Sequence, residues 1–98
     1  MKIKIAGYKV PVNKITNLVA KTGFYGSYTP ASQIIEIDSD LTKQQEEEVV
    51  IHEVLEAIDS IYDLKLDHDE QLCKLSVIIH QIITDNPHLI DYFGVERR

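Results

Sequence analysis

The first twelve residues alternate between apolar and polar, with Ile3, Ile5, Tyr8, Val10 and Val12 recurring at a period near two, broken around Gly7. Alternation of this kind sends every second side chain to one face of a strand, and a glycine at the break admits the tight backbone of a hairpin or bulge. Two short strands are predicted. Ile15, Leu18 and Val19 then change to helical spacing and Gly23 follows as a helix end, which predicts a short helix. Beyond it come a Tyr- and Ser-rich stretch, a turn at Pro30 and Ala31, and the run Ile34, Ile35, Ile37, which together predict a second hairpin.

From Gln44 to about Tyr62, the apolar positions Ile51, Val54, Leu55, Ile58, Ile61 and Tyr62 form the stripe of a long amphipathic helix, expected to face the core. Asp40 or Thr42 can cap its start, and Gln45, three residues after Thr42, completes a capping box. After the linker DLKLD, Asp67 and Glu70 form another box-like start. Leu72, Leu75, Ile79, Ile82 and Ile83 then keep helical spacing until Asn86 and Pro87 stop it. Asn86 is placed to cap a short last helix with Pro87 at its first position, ending at Gly94 before a basic tail of Arg97 and Arg98. The expected fold is α+β in a single domain over 1–98. A small antiparallel sheet, made of two N-terminal hairpins with a short helix between them, packs on two long helices, followed by a short C-terminal helix.

Composition fits that picture: 44% hydrophobic and 27% charged residues suit one modest globular core and are too apolar for a disordered chain. A net charge of −6 with scattered basic residues argues against direct nucleic-acid binding, which needs Lys and Arg gathered on one face. Acidity could instead suit a basic partner or mimic nucleic acid, but most of the acids fall in helical segments, where solvating outer faces is the expectation. Cys73 is the one cysteine, so no intramolecular disulfide forms; among Leu72, Leu75 and Val77 it reads as a buried, inert thiol. The N-terminus alternates like a strand rather than running apolar like a signal peptide, so the expected location is the cytoplasm. No apolar run approaches the ~20 residues that span a bilayer, and no membrane association is expected.

The candidate chemistry lies on the first long helix. His52 and Glu56 are one turn apart and point the same way, so both can reach one metal ion. Imidazole nitrogen and carboxylate oxygen are ordinary zinc ligands, and a catalytic site needs three protein ligands. His68, at the start of the second long helix, is the chosen third ligand. Asp59 and Asp63, which continue the row of His52 and Glu56, and His80 are its alternatives; His88 lies beyond Pro87. Glu53 stands beside the ion as the candidate general base. Each has a plainer reading: His52 as a hydrogen-bonded, partly buried histidine, Glu53 as a solvated side chain, His68 as a helix-start residue. Tyr25 and Tyr28 either line a cleft, stabilise an oxyanion or pack within a strand, the last being the expectation.

Taken together, YGSYTPASQIIEIDSDLTKQQEEEVVIHEVLEAI resembles the middle of small zincin-like proteins, including the ImmA/IrrE-type and SprT-like metallopeptidases often carried by phages and mobile elements. In that group an edge strand of the form xIxID precedes a helix bearing HExxH, whose histidines bind zinc and whose glutamate is the base. Ile34 to Asp38 fits the strand, and His52-Glu53 fits the first half of the motif. Glu56 departs from it, standing where the group has its second histidine; a carboxylate still ligates zinc but weakens the acidification of bound water. Leu66 and His68 also resemble the LxH that opens the second helix of a subset of small phage proteins with an HExxE-type helix.

The resemblance implies a zincin-like metal-binding protein, a minimal zinc metallopeptidase in which His52, Glu56 and His68 hold Zn²⁺, Glu53 is catalytic and the edge strand binds extended peptide. If phage-encoded, it would act in the host cytoplasm. The competing expectation is a non-catalytic protein-interaction module, a phage accessory protein or host-factor inhibitor, that retains a degenerate metallopeptidase scaffold. A DNA-binding regulator is disfavoured by charge and by the lack of a basic recognition helix.

Overall fold

The computed structural model describes residues 1–94, so the Arg97 and Arg98 tail lies outside the described residues. Strand β1 (Lys2–Ile5) and strand β2 (Tyr8–Ile15) pair antiparallel with Ile5 opposite Tyr8, leaving Ala6 and Gly7 as a two-residue turn. Both turn residues have positive φ, 51° and 85°, the requirement of the turn whose twist matches its strands. Helix α1 (Leu18–Thr22) follows and stops at Gly23, whose φ of 80° lets its N–H reach back to the Val19 carbonyl. Strands β3 (Gly26–Thr29) and β4 (Ile34–Asp38) form the second hairpin, closed by the N–H of Gln33 donating to the Thr29 carbonyl.

The two hairpins join into one four-stranded sheet of order β1-β2-β4-β3. The joint is parallel: Val12 stands opposite Ile35 and Ile15 opposite Asp38. The sheet is therefore mixed, antiparallel within each hairpin and parallel between them, because α1 returns the chain to the same end before the second hairpin begins. Asp38 locks this crossover. Its Oδ2 accepts the Val19 N–H at 2.8 Å and its Oδ1 the Asp40 N–H at 2.8 Å, and these two bonds hold its carboxyl below the usual range.

Helix α2 (Lys43–Tyr62) starts at the expected capping box: the Gln45 N–H donates to the Thr42 hydroxyl and the Thr42 N–H to the Gln45 side chain. It lies on the sheet, where Ile5, Val10, Val12, Ile35, Ile37 and Ala57 form the core with Val49, Val50, Val54, Ile58 and Ile61 packed around them. The buried line of α2 differs from the expected stripe. Glu53 and Ala57 are its most buried residues, Ile51 and Leu55 are half-buried, and Tyr62 is 58% exposed. Small Ala57 permits close approach to the sheet, so the helix sits rotated toward Val49 and Glu53.

After a linker, a π-helical turn (His68–Leu72) runs straight into helix α3 (Cys73–Asp85), and helix α4 (Leu89–Phe93) follows, ending at Gly94. Asp67 caps the π turn by accepting the Glu70 N–H, and the reciprocal bond to the Asp67 N–H comes from the Gln71 side chain, not from Glu70. Asn86 ends α3; Pro87 belongs to the turn before α4 rather than to its first helical position. The expected face of α3 is also displaced. Leu72, Ser76 and His80 are buried toward α2, while Leu75, Ile82 and Ile83 are exposed. On that face His80 points inward and meets Glu47 on α2, its Nε2 lying 2.9 Å from Oε1, so a polar contact is part of what seats α3 against α2.

Candidate metal centre

The capping box and the core contacts fix the rotation of α2, and that rotation brings His52, Glu53 and Glu56 to one side of it, facing the π turn and β3. The three predicted donors converge. His52 Nε2 and His68 Nε2 are 3.1 Å apart, His68 Nε2 is 3.3 Å from Glu56 Oε1, and His52 Nε2 is 3.8 Å from the same oxygen. Donors about 2.0–2.2 Å from a tetrahedral ion lie about 3.3–3.6 Å from one another, so these separations bracket the spacing that a metal requires. Two ring nitrogens at 3.1 Å also need a proton or a cation between their lone pairs. Burial lowers the pKa of His52, opposed by the Glu56 charge and assisted by His68, which favours the neutral ligand form.

His68 is oriented from behind, with Asp69 Oδ1 3.1 Å from its Nδ1. The alternatives for third ligand are engaged elsewhere. Asp59 accepts the Leu66 N–H at 2.9 Å and so holds the linker, Asp63 is the C-cap of α2, and His80 sits with Glu47 and Glu48. His88 precedes α4.

Glu53 is only 4% exposed, and its Oε1 has no hydrogen-bond partner among the described residues. Burial, together with the neighbouring Glu56 carboxyl, pushes its pKa up to about 9. It is a neutral, buried acid within reach of His52 and Glu56: one ligand atom from each lies within 4.8 Å of the others.

An open cleft of about 540 Å³ joins these groups to β3. Phe24, Tyr25, Ser27 and Tyr28 form its strand side, and Cys73, Ser76 and Val77 its far wall. Tyr28 both lines the cleft and packs on the core, and Tyr25 lines the cleft. The strand expected at the edge, Ile34–Asp38, is interior, flanked by β2 and β3; the edge strand beside the cleft is β3. Gly26 lets this edge come close. A Cβ there would stand 2.6 Å from Val49 Cγ1 and 3.1 Å from Glu53 Oε2.

Cys73 and Gly26 are the site residues that pattern reasoning passed over. Cys73 is half-buried, not sealed in the core, and its Sγ lies within 4.8 Å of ligand nitrogens of both His52 and His68. Residues five apart diverge on an α-helix, but the π turn, in which the Cys73 N–H donates to the His68 carbonyl, brings them to one side. Burial and then the acidic neighbours Asp69, Glu56 and Asp67 push the Cys73 thiol up. The His, Glu and Cys side chains are thus positioned to hold a metal ion. No protein-family model, curated protein or solved structure matches the chain.

Proposed function

We propose that this chain is a zincin-like zinc-binding protein that works as a minimal metallopeptidase, with His52, Glu56 and His68 as ligands and Glu53 as general base. The observation that carries the reading is the spacing of the three donors, 3.1 to 3.8 Å, on two separate elements. Two imidazoles and a carboxylate form a donor set suited to zinc. Bound zinc would supply Lewis acidity, polarising a carbonyl and lowering the pKa of water.

The chain's own groups do the rest. Glu53 sits beside the ligands with one free carboxyl oxygen; a neighbouring dication favours its ionised form, which then accepts a proton and returns it to the leaving amine. Among the described residues β3 pairs on one side only, with β4, so its other edge can bond an extended peptide along the cleft. A non-catalytic interaction module is the second reading, favoured by Phe24 and Tyr25, which are exposed at the cleft and suit a protein partner.

Metal content, measured by mass spectrometry on protein purified without chelator or affinity-tag metal, tests the proposal. Near-stoichiometric zinc is expected, lost in His52→Ala and kept in Glu53→Gln, with hydrolysis of an unstructured peptide falling at least about 100-fold in the latter. Absence of metal from the unmutated protein would sink the reading and leave the interaction module.

A further inference from the structure

Three protein donors leave one of zinc's four tetrahedral positions to be filled, and the Cys73 thiol lies in one group with the two ligand histidines. Resting on the metal-binding reading above, we propose that Cys73 is the fourth protein ligand, so that the loaded site is closed by a thiolate and opens only when an incoming molecule displaces it.

Geometry makes the first argument. Sulfur and nitrogen donors on a tetrahedral zinc ion lie about 3.6 Å apart, from Zn–S near 2.3 Å and Zn–N near 2.0–2.1 Å. Cys73 Sγ is within 4.8 Å of nitrogens on both histidines, a gap that a modest side-chain adjustment closes. The backbone makes the second. A π turn is a rare departure from α geometry, and here it couples the two residues directly, the Cys73 N–H bonding to the His68 carbonyl. Packing makes the third. Cys73 is half-buried and lines the cleft with Ser76 and Val77, so its thiol borders the space beside the histidines instead of filling the sealed core.

Charge points the same way. Two neutral imidazoles, one carboxylate and one thiolate neutralise a dication, which suits a half-buried site better than a net-positive set does. The carboxylate of Glu56 and the thiolate of Cys73 then form one arrangement. On coordination the thiol gives up its proton to solvent as the sulfur–metal bond forms, and displacement by an incoming donor returns a proton to the sulfur.

Co²⁺ added to the metal-free full-length chain is the probe. Thiolate–cobalt bonding gives an intense near-ultraviolet charge-transfer absorption that nitrogen and oxygen ligands do not. The expected result is one equivalent of Co²⁺ bound with that band. Cys73→Ser should lose the band and still bind Co²⁺, about 10- to 100-fold more weakly or worse, since even outer-shell partners cost that much. In the unmutated chain, added Zn²⁺ should also slow alkylation of Cys73 by iodoacetamide, read by mass spectrometry, and should have no such effect in His52→Ala. One equivalent of Co²⁺ bound without the thiolate band overturns the role of Cys73 and leaves the three-ligand site standing. Failure of the unmutated chain to bind Co²⁺ or Zn²⁺ overturns both.

Discussion

Burying a carboxyl group with one oxygen unpartnered costs stability unless the group gives up its charge, and Glu53 keeps its proton to about pH 9. The unfolded chain releases that proton near the ordinary value of 4.5. Because the folded value is raised, folding at neutral pH must take up a proton; the penalty begins above the unfolded value and grows until the folded one is reached. Glu53→Gln removes the ionisable group. In the presence of chelator, the variant should be more stable than the parent at pH 7 by on the order of 1–3 kcal/mol, once the unpaired amide hydrogens are set against the gain, and should lose that advantage below about pH 4, where the amide penalty alone remains. Thermal melts across that range check the sign. A variant less stable at pH 7 would show that the Glu53 proton does not carry the burden assigned to it. A more stable variant would mean that Glu53 trades stability for its place beside the ligands, as functional groups in cores commonly do.

At the scale of elements, the decisive feature is how closely β3 approaches α2. Gly26 is the strand position without a side chain opposite Val49 and Glu53, and a methyl group there meets both. Gly26→Ala should therefore cost about 1–3 kcal/mol by overpacking and push the edge strand off the helix. Urea denaturation measures the loss, and a neutral result would mean that the strand has room to move.

The elements also show where sequence patterns carry information. Thr42 with Gln45, Gly7, Gly23 and Asn86 act within a few residues of themselves, so the hairpins, helix starts and helix stops were legible. Three features were not. The parallel pairing of Val12 with Ile35 joins strands that no local period relates. Glu53 lies on the buried line of α2, where a stripe drawn through apolar residues passes it by. The alignment of His68 with Cys73 depends on a widened turn, which ordinary helical spacing hides. Of the candidate site, His52 and Glu56 followed from spacing alone. His68 followed from the expectation that the second helix doubles back, and the linker held by Asp59 provides for that return.

For the molecule as a whole, the donors come from two places, His52 and Glu56 from α2 and His68 from the π turn ahead of α3. An ion held by both ties the helical pair together and is absent from the unfolded chain, so binding adds directly to global stability. Zinc at 100 times its dissociation constant should add about 2.7 kcal/mol to unfolding and raise the melting temperature; chelator should reverse the shift, and His52→Ala should abolish it. A melting temperature indifferent to zinc would place the ion, if bound, outside this joint.

The order of the strands has a further consequence, for how the chain finds its shape. Every group on the cleft comes from the stretch 24–77, whose β3–β4 hairpin closes over only a short loop. By contrast, registering Val12 against Ile35 means closing a much longer stretch of backbone around α1, at an entropic cost that rises with its length. Assembly should accordingly begin at the second hairpin and α2, with the first hairpin docking afterwards. Changes at Ile37 would then chiefly slow folding, whereas changes at Ile3 would chiefly hasten unfolding, so the lifetime of the folded molecule is set at the edge of the sheet opposite the cleft.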